Sequence, residues 1–436
     1  MKIIFVILVL SPLIFSCSWL GKDKEEILPG DRIPALSLGR SIVPDPTLKN
    51  VRIILPSPTF NQSWPQAGGY ANHAMHHIAI RDNLEKKWST SIGEGRSDEY
   101  RLSSEPVTGG NKVFTMDSES IVTAINFKTG NKIWELELTP EDEDDGHIGG
   151  GLAYNKGSLY ITTGFAKVFA LNAANGKILW MKNLTAPLRS SPTIRGGRVF
   201  VISLNNEIFA LNAKTGKELW KYSGLPETAS MLGAASPAVD NGIVIAPFTS
   251  GQLVALRVDN GRLLWEESLA KARSADSTST ISDIRGRPII DRGRVIATSN
   301  GGQIVGIELR TGKRIWTKNI GSLESPWVAG EYIFSITNQA EVVCLSRQNG
   351  KVHWVTNLTK YEDPENLDRM IIWTGPILAS DRLIVAGSNG IALALSPYSG
   401  KILGHINMPD GVSIPPVIAN GNVLFLADDA NLEVYQ

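Results

Sequence analysis

The stretch NNEIFALNAKTGKELW (205–220) is restated along the chain. It returns as SIVTAINFKTGNKIW (120–134), AKVFALNAANGKILW (166–180) and GQLVALRVDNGRLLW (251–265). It continues as GQIVGIELRTGKRIW (302–316), AEVVCLSRQNGKVHW (340–354) and IALALSPYSGKILG (391–404). In each copy a small residue, usually Ala, stands six places before a Gly, and in all but the last a Trp follows that Gly by four. Copies recur at intervals of 38–51 residues, a period that belongs to propellers and solenoids.

The physics of one copy defines the unit. Ile208, Phe209, Ala210 and Leu211 form an apolar run with side chains for both faces, which fits a strand buried on both sides. Ala213-Lys214-Thr215-Gly216 is a hairpin turn with its Gly in the left-handed conformation, leaving a bulge. Glu218-Leu219-Trp220 begins the return strand, and the indole is large enough to fill the gap between neighbouring sheets. Upstream, Ser191-Pro192-Thr193-Ile194 and Arg198-Val199-Phe200-Val201-Ile202 supply two more strands, with Pro192 tolerated at a strand start. Each unit is thus a four-stranded antiparallel sheet that buries both faces only when stacked radially, as a propeller blade.

Two incomplete units complete each other. Lys87-Trp88-Ser89-Thr90 reads as a last strand with nothing before it. Ile414-Pro415-Pro416-Val417, Val423-Leu424-Phe425-Leu426 and Leu432-Glu433-Val434-Tyr435 are three strands with nothing after. The outer-strand positions are then Trp88, Trp134, Trp180, Trp220, Trp265, Trp316, Trp354 and Gly404, which makes an all-β, eight-bladed propeller closed by strands from both termini. Closure removes free sheet edges. The residues expected to dock one blade on the next are Gly130, Trp134, Gly176, Trp180, Gly216, Trp220, Gly261, Trp265, Gly312, Trp316, Gly350 and Trp354. Gly404 lacks the indole, so packing beside its blade should differ.

The 436 residues include 43 basic and 43 acidic side chains, so no electrostatic footprint for nucleic acid is present. There are two cysteines, Cys17 and Cys344. Cys344 occupies the Ala position of its repeat and reads as a buried small residue. Residues 1–16 carry a basic start and an apolar run too short for a confident membrane span, which reads as a secretory signal. Residues 17–60 are polar and dotted with proline, as expected of a tether, and 61–436 form the propeller, opening on Trp64-Pro65-Gln66-Ala67-Gly68-Gly69.

No nucleophile–base constellation or phosphate-cradling loop stands in a suitable context. His73-Ala74-Met75-His76-His77 has no thiolate near it and reads as a structural lead-in rather than a metal site. The acidic run 141–145 reads as a solvated loop. Three connections stand out. Leu184-Thr185-Ala186-Pro187-Leu188-Arg189 joins blades two and three and sets an apolar residue beside an Arg, a combination suited to an interface anchor. The connection 270–287 between blades four and five is long and basic, and 357–372 is expected to carry a short helix. Long connections are often functional.

The A-x-x-x-x-T-G-x-x-x-W phrase over roughly 85–436 resembles the docking motif of pyrroloquinoline-quinone-type propellers. Ile14-Phe15-Ser16-Cys17 resembles the bacterial lipoprotein cleavage box, which implies acylation at Cys17; Ser18 after it favours the outer membrane. With the proline-rich tether, Trp64-Pro65-Gln66 and eight short blades, the whole resembles the BamB family, lipoproteins of the outer-membrane β-barrel assembly machine. The resemblance implies a non-enzymatic scaffold without cofactor or metal, lipid-anchored and facing the periplasm. It would dock on the POTRA domains of BamA, with other lipoproteins of the machine and unfolded outer-membrane proteins as further partners. Leu188 and Arg189 match the family's apolar–Arg pair and Asp283 its acidic element. Leu184 falls near a second apolar position, and Arg285 stands where family members can carry a second acid. Two rival readings are a quinoprotein dehydrogenase and a propeller binding sugar or peptidoglycan. The first would bring a longer chain, usually with a vicinal Cys pair; the second could use aromatics such as Trp327 and Trp373.

Overall fold

In a computed structural model the repeated phrase forms the two outer strands of a blade. The structure describes residues 42–97, 99–141, 143, 149–226, 234–270 and 283–436. The signal, Cys17, most of the acidic run and residues 271–282 of the long connection lie outside the described residues.

Eight four-stranded antiparallel sheets make the ring. Blade three is Thr193–Arg195, Arg198–Ile202, Glu207–Asn212 and Glu218–Ser223, in that order from the axis outward. Blade eight is composite: Val417–Ala419, Asn422–Leu426 and Asn431–Tyr435 are joined by Lys86–Ser91, which pairs Trp88 with Val434 and Thr90 with Leu432. The ring therefore closes as the two incomplete units require.

In seven blades the third strand is buried along its centre, as in Glu207–Asn212, because it faces both neighbouring blades; in blade seven Leu393 and Ala394 of Ile391–Leu395 are only half-buried. The turn after it places Gly216 at φ +69°, and the register slips between Ala210 and Leu211, which is the expected bulge. Each outer-strand Trp lies on the turn Gly of the next blade. A Cβ on Gly216 would lie 2.6 Å from the Trp180 ring, so only Gly lets the indole seat there. Seven indole Nε1 groups donate to the carbonyl three residues before that Gly, at 2.8–3.3 Å. Docking thus runs between blades, from Trp134 to Gly176 and from Trp316 to Gly350. Cys344 is fully buried and pairs across the strand with Trp354, and burial pushes its thiol pKa well up.

Residues 42–60 depart from the expected tether. Asp45 donates its N–H to the Val352 carbonyl and pairs with Lys351 at 3.3 Å, while Ile53 is buried against blade six. Pro46 opens a short 3-10 turn, Pro46–Leu48, capped by the Asp45 side chain, and burial of Ile53 fixes the segment on the ring. In the 357–372 connection the structure shows a small hairpin, Tyr361–Asp363 with Asp368–Met370, in place of a helix. Asp363 accepts from the Glu365 and Asn366 N–H groups, a local bond that favours a turn.

Candidate functional site

The innermost strand of each blade has an open edge facing the axis, and its unpaired backbone groups need partners. Residues 61–80 supply them by passing every blade in turn. Asn61 bonds the backbone of Ile418 and Asn420 in blade eight, and Trp64 exchanges bonds with Thr108 in blade one. Pro65 accepts from Tyr154 in blade two, and the Gln66 amide closes both backbone groups of Ile194 in blade three. Ala71 and Asn72 accept from Val239 and Ile290, His76 from the Trp327 indole at 2.6 Å, and Ile78 bonds Leu378 and Ser380. The histidines are part of this closure. His73 Nδ1 meets the Pro288 carbonyl at 2.8 Å, and His77 bonds the Pro56 carbonyl and the Asp381 N–H. Burial drives the His73 pKa down to about 3, and Arg287 adds to the effect.

One end of the axis is closed in this way; toward the other lies a cavity of about 410 Å³. Arg96, Arg101, Arg189, Arg285 and Arg287 line it, against Glu105, Glu324 and Asp428. The acids are engaged within the ring. Glu105 pairs with Arg287 and accepts from the Gly68 N–H, and Asp428 lies 3.4 Å from Arg96. Glu324 is bonded by the Thr374 hydroxyl at 2.9 Å; burial raises its pKa, against the pull of Arg285. Positive charge therefore exceeds negative around the cavity. Such a surface suits an acidic partner.

The predicted residues divide. Arg189 and Arg285 both line this cavity, although two blades lie between their loops along the ring. Leu188 does not belong with them: it is fully buried in the core between blades two and three, with Leu184 packed partly against the same core. Its N–H bonds the Thr163 carbonyl, and it bridges to Ser203. An apolar residue there anchors the loop and offers no exposed contact. Close passage of this loop needs Gly149, at φ +138°, where a Cβ would lie 2.8 Å from the Leu188 carbonyl oxygen. Asp283 is also buried, at 2% exposure, and its carbonyl accepts from Asn300, so its side chain is not presented to an external base. Arg96, Arg101 and Arg287 were missed. Arg189 and Arg285 each precede the first strand of their blade by four residues, whereas Arg101 stands six before the first strand of blade one, so a fixed spacing does not find it.

Between this cavity and the closing segment, beside Trp64, His73 and Arg287, a void of about 30 Å³ remains, room for a water. A three-ring quinone does not fit there. Trp327 is 7% exposed and stacks on Trp64 with centroids 6.4 Å apart; Trp373 is 6% exposed and donates to the Thr359 carbonyl. Neither offers a platform for sugar.

The chain is 27% identical over 350 residues to the outer membrane protein assembly factor BamB of Escherichia coli K12, covering 79% of this chain and 87% of that one. The namesake from Shewanella oneidensis is 25% identical, covering 80% and 88%. Among solved structures, BamB from Moraxella catarrhalis superposes with a TM-score of 0.68 at 20% identity, over 81% of this chain and all of that one. A quinohemoprotein alcohol dehydrogenase from Pseudomonas putida shares the fold alone, with a TM-score of 0.66 at 12% identity, over 86% and 80%. The profile of the outer membrane protein assembly factor BamB matches residues 41–148 and 142–356, and the chain belongs to that family.

Proposed function

We propose that this protein is a non-enzymatic scaffold of outer-membrane protein assembly, anchored through lipid on Cys17, facing the periplasm and docked on the POTRA domains of BamA. The family assignment supplies the process. The observation that supports the docking face is the convergence of Arg189 and Arg285, from loops two blades apart, on one cavity where arginine outnumbers acid. Arginine suits this role because its planar fork binds carboxylates in pairs of hydrogen bonds. Leu188 holds the loop from beneath, and Asp283 belongs to the supporting backbone, so the contact falls to the arginines.

The test is the affinity of the full-length protein for the BamA POTRA domains, with wild type beside Arg189→Glu and Arg285→Glu. Each reversal is expected to weaken binding at least about tenfold, since a charged contact changes from attraction to repulsion. Raised salt should weaken wild-type binding as well. Equal binding by wild type and both variants, with unchanged thermal transitions, would place the docking face elsewhere.

A further inference from the structure

Seven intervals between blades hold an indole and one does not. Gly404 pairs with Ala394 in the register that sets Trp220 opposite Ala210. At the other seven positions an indole reaches the turn of the next blade, whereas a Cβ built on Gly404 meets no atom within 4 Å. The next blade here is the composite one, where the turn is replaced by the segment leading into Lys86–Ser91. A cavity of about 480 Å³ lies at this seam, floored by Ile384, Ala392 and Phe425 and flanked by Leu84, Gly404 and Arg382. Arg382 is fixed in its wall, donating to the Arg81 and Asp82 carbonyls.

We propose that this seam is a binding site for one tryptophan side chain of a partner polypeptide. The ring itself shows what such an interval accepts, since the equivalent strand position fills every other interval with an indole. The floor is apolar, as an aryl ring requires, and a guanidinium in the wall attracts an aromatic face. Asp82 and Asn83 at the rim provide acceptors for the ring N–H. Gly404 has no positive φ, so its lack of a side chain answers no backbone demand and leaves the interval open to an outside residue. This inference is independent of the arginine-lined cavity, with which the seam shares no lining residue.

The experiment is a titration of N-acetyl-L-tryptophanamide into the full-length protein carrying labelled isoleucine and leucine methyls. Saturable shifts are expected at Leu84, Ile384, Leu403 and Ile406, in the weak range proper to a single side chain, with much smaller shifts from N-acetyl-L-leucinamide. Gly404→Trp should place the chain's own indole in the interval, abolish these shifts and raise the melting temperature. Gly404→Leu, a smaller filling, should cut the affinity by about tenfold and serves as a second variant if the first does not fold. No saturable shift in wild type, equal binding of the leucine amide, or undiminished binding in a cooperatively folded filled variant would each overturn the proposal.

Discussion

Replacement of Trp265 by Ala tests whether the indoles hold the ring together. Trp265 is 8% exposed, rests on Gly312 of the next blade, and donates from Nε1 to the Leu309 carbonyl at 2.8 Å. Truncating a buried aromatic costs about 3–5 kcal/mol, and losing the bond to a buried carbonyl adds about 1 kcal/mol. Water entering from the rim offsets part of this, so we take about 4 kcal/mol. A ring of nearly 400 residues unfolds with an entropy near 0.8 kcal/mol/K at its midpoint, and the melting temperature should fall by about 5 K. Trp265→Phe keeps most of the ring contact and loses the donor, so about 2 K is expected. Both variants should still close, because the native ring already carries one interval without an indole at Gly404. The assay is differential scanning calorimetry of the three proteins at equal concentration. If Trp265→Ala melts within about 1 K of wild type, or if the Phe variant costs as much as the Ala variant, the indoles do not hold the blades together.

Two further expectations concern buried charge. Because the folded pKa of His73 lies far below its unfolded value of 6.5, only the unfolded chain takes up a proton between those values, so its contribution to stability is present above pH 6.5 and lost as pH falls. About 2 kcal/mol should disappear between pH 7 and pH 5 in denaturant titrations, and His73→Gln should flatten that slope; an unchanged slope would refute the assignment. Asp291 lies 3.0 Å from Arg347, with both side chains nearly buried, and 3.1 Å from Arg292. Asp291→Ala should cost about 3–5 kcal/mol by stranding the Arg347 charge, and Asp291→Ala with Arg347→Ala should recover part of it in a double-mutant cycle.

Local pattern was enough wherever one repeat speaks for all of them. The Ala210–Gly216–Trp220 spacing encodes strand, turn and docking ring within sixteen residues, and alignment of the copies exposes the blade count, the composite eighth blade and the odd position at Gly404. Arg189 stands out in the sequence as a charge set beside an apolar residue ahead of an inner strand, and Arg285 only as a departure from the acid that family members can carry. Leu188 was misjudged because an apolar residue in a loop looks like an exposed anchor until the neighbouring blade is present to cover it. Asp283 failed in the same way.

What the sequence determined alone is the ring, since hydrophobic period, turn glycines and indoles act over distances shorter than one blade and repeat often enough to be counted. The axis and the seam, by contrast, take shape only when the blades pack together. Residues 61–80 carry no strong period, and their course follows from eight open strand edges that converge only after the blades close. The arginines meet, and the vacancy at Gly404 acquires walls, for the same reason: residues far apart in sequence become neighbours through ring closure, and nothing in their local spacing records it.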